Sequence, residues 1–312
     1  MTGKADSTRS LSTRSDPSRP AAASKRSPDA KPAPGLYLVA TPIGNLGDIG
    51  RRALDLLARA DVVACEDTRV TRKLLTAHGI QARLIAYHEH NAERVRPRLI
   101  EDIKCGKSVA LVADAGTPLV SDPGYRLVTA AVSEDLTVTA VPGASAALAA
   151  LVVSGLPSDR FLYAGFLPAK AAARRRALDE LAPVKATLIL FESARRLPAA
   201  LAAMAEVLGP RPAAVARELT KLHEEVRRDS LPALAAHYAS AGPPKGEVVV
   251  VVGPPADEVR PLSDDDLDEM LREALVRASV RDAVAEVARE TGAPRQRVYA
   301  RALALSAAQD QT

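Results

Sequence analysis

"LVADAGTPLVSDPG", residues 111–124, joins an apolar run to a loop whose composition does not suit a protein core. The apolar run begins before the quoted stretch, as "SVALVA" (108–113), and is typical of a buried strand. The stretch 114–124 contains two glycines, two prolines, a serine and two aspartates. In open α/β sheets, ligands bind beyond the carboxyl ends of strands, where loops present backbone groups. The stretch therefore predicts an α/β fold in which this loop contacts a ligand.

Around this loop, short β-rich runs alternate with helical stretches from Gly35 onward. The first unit contains the runs "LYLVA", "DVVACE", "RLIAY", "SVALVA" and "LTVTAV". This alternation indicates βαβ units in a mostly parallel sheet with helices on its faces. A break at "SGLPSD" (154–159) precedes a second unit with the runs "RFLYAGF", "ATLILFE", "AAVARE" and "GEVVVVVG". The sequence thus predicts two α/β domains, residues 35–155 and 156–255.

The last part of the chain, residues 260–312, has helical periodicity throughout. Ser263 and Asp266 have the spacing of a capping box at the start of "DLDEMLREALVRA". Two further helices are predicted on either side of Gly292-Ala293-Pro294, and this is helix-turn-helix spacing. We therefore expect a small helical module of the helix-turn-helix type.

The first 34 residues account for the whole net charge. They carry seven Lys/Arg and three Asp/Glu, whereas the rest of the 312-residue chain is neutral. They also contain almost no large apolar residue and are predicted to be a disordered tail. The sequence has no apolar run of membrane-spanning length, no secretory signal and only two cysteines, so a cytoplasmic protein is expected. His88 and His90 lack a ligand partner, and no metal site is predicted.

Three predicted strands end in loops rich in glycine and proline. These loops are "ATPIGNLGDIG" (40–50), "ADAGTPLVSDPG" (113–124) and "VPGAS" (141–145). A dinucleotide site is disfavoured because the first loop has G-x-x-G-x-x-G spacing and because Pro42 removes a backbone donor. The lysine of a P-loop is also missing. The loops favour a cofactor held mainly by backbone groups.

Six segments together resemble one known family. They are "LYLVATPIGNLGDI", "CEDTR", "ADAGTPLVSDPG", "VPGASA", "FESARRL" and "RELTKLHEE", which occur in this order between Leu36 and Gly253. The chain resembles the tetrapyrrole-methylase superfamily, and within it the bacterial enzymes that methylate the ribose 2′-oxygen of cytidine 1402 in 16S rRNA. The resemblance implies methyl transfer to 16S rRNA in the 30S subunit, and a homodimer.

The resemblance also implies S-adenosylmethionine (SAM) as the cofactor, folded into a cleft between the two α/β domains. Its expected ligands lie in the three loops: Pro42, Ile43, Gly44, Asp114, Ala115, Gly116, Thr117 and Ser145. In this interpretation Gly116 lets the backbone approach the methionine part of the cofactor.

A ribose hydroxyl is a poor nucleophile at neutral pH, so a general base is expected. The candidates follow apolar strands: Glu66, Asp67, Glu192, Glu218 and Lys221, with Lys221 first and Asp67 second. Arg195 is expected to position the RNA beside them. The "CEDTR" acids could instead cap the next helix, and "RELTKLHEE" could be a solvated charge run. The candidates for RNA contact are Arg69, Lys170, Arg174, Arg175, Arg176 and Arg217, although the cluster at 170–176 could be a solvated helix face.

Two other functions stay open at the level of sequence. One keeps the fold and methylates a corrin precursor or a diphthamide intermediate. The other is a helix-turn-helix DNA-binding regulator with a small-molecule sensing domain, since Arg295, Arg297 and Arg301 lie on the second helix of the predicted module.

Overall fold

The computed structural model describes residues 31–120, 124–256 and 263–309. The tail predicted at residues 1–34 therefore lies outside the described residues except for its last four. The described chain forms two five-stranded sheets and a group of three C-terminal helices. The predicted α/β class with a helical C-terminal region is confirmed.

The first sheet is wholly parallel and has the strand order β3-β2-β4-β1-β5. Its strands are β1 (Gly35–Val39), β2 (Val62–Cys65), β3 (Leu84–Ala86), β4 (Ser108–Val112) and β5 (Val138–Val141). The connecting helices are α1 (Arg51–Arg59), α2 (Thr68–Ala77), α3 (Ala92–Lys104), α4 (Tyr125–Ser133) and α5 (Ala146–Ser154). All five residues of β4 are buried, as expected for a parallel strand covered by helices on both faces. Separate apolar clusters on the two faces, one including α3 and α4 and the other α1, complete this core.

The second sheet is mixed, with the order β6-β7-β10-β8-β9. Its strands are β6 (Phe161–Phe166), β7 (Thr187–Ser193), β8 (Pro212–Arg217), β9 (Glu225–Ser230) and β10 (Glu247–Val252), and its helices are α6 (Ala171–Leu181), α7 (Leu197–Leu208) and α8 (Leu231–Ala241). β6 runs parallel to β7, whereas β10 runs antiparallel to it. Strand β9, "EVRRDS", was not predicted because a charged edge strand lacks the apolar pattern of a buried one.

The C-terminal helices are α9 (Asp264–Leu275), α10 (Val280–Thr291) and α11 (Arg295–Gln309). The predicted capping box is present, since Ser263 accepts from the backbone of Asp266 and the Asp266 carboxylate accepts from the backbone of Ser263. Gly292 ends α10 in the left-handed conformation, with φ of 66°. The three helices enclose a core of their own, which includes Leu271, Val287 and Val298.

The described residues fall into two compact units. The first runs to Ala150 and also includes Arg217–Glu225, and the second contains Leu151–Ala216 and the chain from Val226 onward. The segment Arg217–Glu225, which connects β8 to β9, thus belongs to the unit that contains the first sheet. In the first sheet, the connection from β1 to β2 runs toward one edge, and the connection from β4 to β5 runs toward the other edge. The neighbouring ends of β1 and β4 therefore form the topological switch point, where α/β folds bind ligands.

Candidate active site

The loops after β1 and β4 are joined at the switch point. Thr41 and Gly116 exchange two backbone hydrogen bonds, of 2.9 and 3.1 Å, in an isolated antiparallel bridge. The buried Thr41 hydroxyl also donates to the carbonyl of Ala113, over 3.1 Å. Because these bonds use backbone and a short β-branched side chain, the two loops are held with little conformational freedom.

The third loop, after β5, is attached to the second. The Thr117 hydroxyl donates to the Ala144 carbonyl over 3.0 Å. Gly116 has φ of +79°, and a Cβ there would lie 3.2 Å from Cγ2 of Ile43. Its missing side chain therefore faces a neighbouring loop, and the glycine is required for packing and for a left-handed backbone. Small exposed residues line this edge, namely Gly44, Ala115, Pro142 and Gly143.

The acids after β2 also lie at this edge. The Asp114 carboxylate accepts a hydrogen bond from the backbone N–H of Asp67, over 3.0 Å, which joins the end of β4 to that of β2. Burial raises the pKa of the Glu66 carboxyl, and the nearby charge of Asp114 raises it further. Glu66 is therefore the carboxylate of "CEDTR" whose pKa is shifted toward neutral pH.

Asp67 has a structural role. Its carboxylate accepts from the backbone N–H of Arg69 at the start of α2 and pairs with the Arg69 guanidinium at 2.6 Å. These bonds lower the pKa of Asp67 from 3.8 to about 2. Because the folded pKa is depressed, the stabilisation by this cap is present above pH 3.8 and is lost as the pH falls toward 2.

The "RELTKLHEE" segment is an ordered loop. Glu218 and Thr220 have φ of 49° and 65°, and such left-handed backbone at residues other than glycine is costly. The Lys221 ammonium pairs with Glu218 at 2.8 Å, and Arg217 pairs with Glu225 at 3.0 Å across the ends of the loop. Internal ion pairs and strained backbone are not features of a solvated charge run.

This loop packs on the loop after β1. The Asn45 backbone N–H donates to the Thr220 hydroxyl over 3.1 Å. A Cβ on Gly44 would lie 2.9 Å from the same hydroxyl and closer still to Cγ of Lys221. Gly44 is therefore needed to admit the Lys221 stem. Pro42, Ile43, Gly44 and Lys221, predicted separately, lie together.

Glu192 and Arg195 belong to the second unit, and they do not pair. The Glu192 side chain is 1% exposed and pairs with Arg196 at 2.6 Å, while Arg195 is exposed. Glu192 also accepts from the Ser193 backbone, and Arg196 donates to the Leu167 carbonyl. This buried ion pair fixes the start of α7 against β7.

The predicted RNA contacts lie in both units. Arg69 lines a groove of about 570 Å³ on α2 with two cations that the sequence did not single out, Arg72 and Lys73. In the second unit, Lys170 and Arg176 are exposed, and Arg175 pairs with Glu206 at 2.6 Å. Arg174 is half-buried and donates to the Ala169 carbonyl.

Residues 31–120, 124–256 and 263–309 contain no group of three His, Cys, Asp or Glu side chains that could hold a metal ion. Nor does this part of the chain contain a helix with the length and hydrophobicity of a membrane span.

The sequence matches two family models, and together they cover most of the chain. Residues 35–235 match "Tetrapyrrole (Corrin/Porphyrin) Methylases", and residues 261–306 match "RsmI C-terminal HTH domain". The chain belongs to the tetrapyrrole methylase family. This methylase is 55% identical over 273 residues to "Ribosomal RNA small subunit methyltransferase I" of Mesorhizobium japonicum, covering 87% of this chain and 92% of that protein. It is 56% identical over 272 residues to the protein of the same name from Erythrobacter litoralis, covering 87% and 95%.

Solved structures share the fold of this methylase. A diphthine synthase matches with a TM-score of 0.53 at 21% identity, covering 70% of this chain and 89% of that one. A cobalt precorrin-4 methyltransferase matches with a TM-score of 0.52 at 19% identity, covering 70% and 94%.

Several residues that contact or neighbour the predicted site residues were missed from the sequence. Thr41 and Thr220 had a possible signal, because each lies inside a segment that carried the family resemblance. Arg196 had a weaker one, since it is four residues after Glu192 and a one-turn helix brings it back to the carboxylate. Arg72 and Lys73 follow Arg69 at helical spacing, which places all three on one face of α2.

The two neighbouring arginines of the methylase allow a stability test. We expect Arg196→Ala to lower the free energy of unfolding by about 3 kcal/mol, because it removes the guanidinium that pairs with the buried Glu192 side chain. Arg195→Ala, at an exposed position, is expected to change it by less than about 0.5 kcal/mol. Urea denaturation followed by circular dichroism measures both, and equal losses would show that the pair does not stabilise α7.

Proposed function

We propose that this protein is an rRNA methyltransferase that transfers a methyl group from SAM to the ribose 2′-oxygen of cytidine 1402 in 16S rRNA of the 30S subunit. The observation that carries the proposal is the 55–56% identity to two proteins named "Ribosomal RNA small subunit methyltransferase I", over 87% of this chain. The ribose position and the nucleotide come from the resemblance of the six segments.

The three joined loops suit SAM as the cofactor. The hydrogen bonds between the loops reduce the conformational entropy lost on binding. The small exposed residues at this edge let a ligand approach the backbone closely. We propose that Pro42, Ile43, Gly44, Asp114, Ala115, Gly116, Thr117 and Ser145 hold it. When bound, SAM supplies a methyl group on a sulfonium, which an oxygen nucleophile displaces in line. The chain must align the ribose oxygen and remove its proton.

We propose Lys221 as the base. Its stem packs on Gly44, so it lies beside the cofactor loop, and its pairing with Glu218 fixes its direction. Asp67 suits this role poorly, because a carboxylate with a pKa of about 2 is a very weak base near neutral pH. Glu66 is the second candidate, since its pKa is raised. Glu192 is held by Arg196 in a buried pair and is proposed as a structural residue.

The basic groove on α2 supports RNA as the substrate. Arg69, Arg72 and Lys73 lie on one face of the helix that follows the "CEDTR" acids, where they can contact backbone phosphates. Arg217, Lys170 and Arg174–Arg176 are proposed as further contacts.

The double substitution Arg72→Gln/Lys73→Gln is expected to weaken binding of single-stranded 16S fragments and to lower the log–log salt slope by about 1.4, or about 0.7 per contact. Arg94→Gln/Arg98→Gln removes the same charge from exposed positions on α3 and is expected to leave the slope unchanged. Fluorescence anisotropy between 50 and 200 mM salt, roughly the range over which such slopes are resolved, measures both pairs. Equal slopes for the two pairs would make α2 a solvated face.

We further propose a cytoplasmic homodimer with the domains 35–155, 156–255 and 260–312. Support for a dimer comes from β6, an edge strand on which Phe161 and Phe166 are 46% and 55% exposed. Sedimentation equilibrium of the full chain tests this, and a mass of one chain would contradict it.

Transfer of tritium from labelled SAM to purified 30S subunits tests the main proposal. Label in nucleosides from 16S rRNA, recovered as 2′-O-methylcytidine, is the expected result. Label in a corrin precursor or in the diphthamide intermediate would favour the alternative methylases, whose fold alone is shared at 19–21% identity. No transfer to any of them, together with specific binding of duplex DNA, would favour a regulator.

A further inference from the structure

A small groove lies between α10 and α11 of the C-terminal module. Its volume is about 380 Å³, and it is lined by Arg281, Val284, Arg295, Gln296 and Tyr299. Val284 is buried at its base, while the four polar residues are exposed at its rim. None of these residues was assigned a role in the methylation site.

The arginines of α11 divide into two groups. Arg297 pairs with Asp264 at 2.8 Å, and Arg301 pairs with Asp268, so both neutralise the acidic start of α9. Within residues 31–120, 124–256 and 263–309, neither Arg281 nor Arg295 has a carboxylate partner. Both cations that line the groove therefore remain available to bind a phosphate. Of the phosphate contacts that the sequence predicts at Arg295, Arg297 and Arg301, those at Arg297 and Arg301 would require these ion pairs to break.

The aromatic side chain adds a second kind of contact. Tyr299 is 49% exposed although it lies on a packed helix, and it is one turn from Arg295 on the same face. An exposed tyrosine beside two guanidinium groups can stack on a base while the cations bind the adjoining phosphates. Gln296 carries both a donor and an acceptor that can bond to the edge of a stacked base.

We propose that this groove binds an unpaired RNA segment of the substrate, with its phosphates on Arg281 and Arg295 and one base on Tyr299. A single strand is favoured over duplex DNA because stacking on a side chain requires a base that is free of its neighbours. A helix reading a major groove would also need several cations along its length, whereas two of the three arginines of α11 are engaged within the module. The proposal rests on the proposed function only for the identity of the RNA.

The groove can be tested in the full-length protein by measuring its binding of a labelled single-stranded RNA. An RNA of about 12 nucleotides has the length that such sites cover. Tyr299→Ala is expected to weaken binding about 5- to 150-fold, and Tyr299→Phe is expected to restore it, since the ring suffices for stacking. Arg281→Gln/Arg295→Gln is expected to lower the log–log salt slope by about 1.4. Arg289→Gln, at an exposed position on α10 outside the groove, is expected to leave the slope unchanged.

Each outcome bears on the proposal. The stacking role would be overturned if Tyr299→Ala bound RNA like the wild type. It would also be overturned if Tyr299→Phe lost as much RNA affinity as Tyr299→Ala. A loss of duplex DNA binding without a loss of RNA binding would make the module a DNA reader. Because the readout is binding, it is independent of methyl transfer. Failure of tritium transfer with an intact Tyr299 effect would refute the proposed function alone.

Discussion

Replacing Gly116 with valine is expected to lower the affinity for SAM by at least about 100-fold, or roughly 2.7 kcal/mol. The backbone at Gly116 has φ of +79°. A β-branched residue adopts this conformation only at a cost of at least about 1–2 kcal/mol. The new side chain would also press on Ile43, whose Cγ2 lies 3.2 Å from the Cβ position. Both effects move the loops after β1 and β4 apart, and the two hydrogen bonds between Thr41 and Gly116 depend on their present separation.

A second glycine separates strain from displacement. Gly79 has a similar φ of +68°, but nothing lies within 4 Å of its Cβ position. Gly79→Val is therefore expected to lose stability from strain while keeping its affinity for SAM. Isothermal titration calorimetry measures the affinity, and thermal unfolding reports the stability of both variants. Wild-type affinity in a folded Gly116→Val protein would remove the loops at 40–44 and 113–117 from the proposed cofactor site.

The strands and helices of the fold could largely be predicted from the sequence because their signals are local. Runs such as "SVALVA" and "GEVVVVVG" are apolar over the full length of a strand, and the capping box at Ser263 lies within four residues. Strand β9 was missed because its residues are mostly polar and its pairing depends on a distant partner. The three loops after β1, β4 and β5 could be predicted for the same reason, because their glycine and proline content is also a local signal.

The contacts within the site could not be predicted in the same way. Gly44 was selected as a cofactor ligand, but the structure adds that its missing Cβ leaves room for Lys221, which is far away in sequence. Glu192 was selected as a candidate base because it ends an apolar strand, and the sequence alone did not show that Arg196 neutralises it. For Asp67, the residue pattern left both a general base and a helix cap open. Only the bonds to Arg69 reveal the cap.

Replacing Lys221 with alanine is expected to reduce turnover by about 10²–10⁴-fold while leaving the affinity for SAM within a few-fold of the wild type. The reason is that the proposed base contacts the loop after β1 through its stem but would act on the ribose hydroxyl through Nζ. Asp67→Asn is expected to change turnover far less, because the pKa of Asp67, lowered to about 2, leaves it little tendency to accept a proton. Single-turnover methylation of 30S subunits, measured as a function of pH, compares the variants.

The substitution Lys221→Arg decides between a base and a phosphate contact. Arginine keeps the positive charge and can still pair with Glu218, but it stays protonated at every pH at which the protein is folded. If Lys221 accepts the hydroxyl proton, Lys221→Arg binds RNA like the wild type, loses turnover as Lys221→Ala does, and lacks the rise in rate with increasing pH. If Lys221 only holds a phosphate, arginine supports turnover. In that case Glu66 becomes the leading base, because burial and the charge of Asp114 already raise its pKa toward the range where a general base is effective.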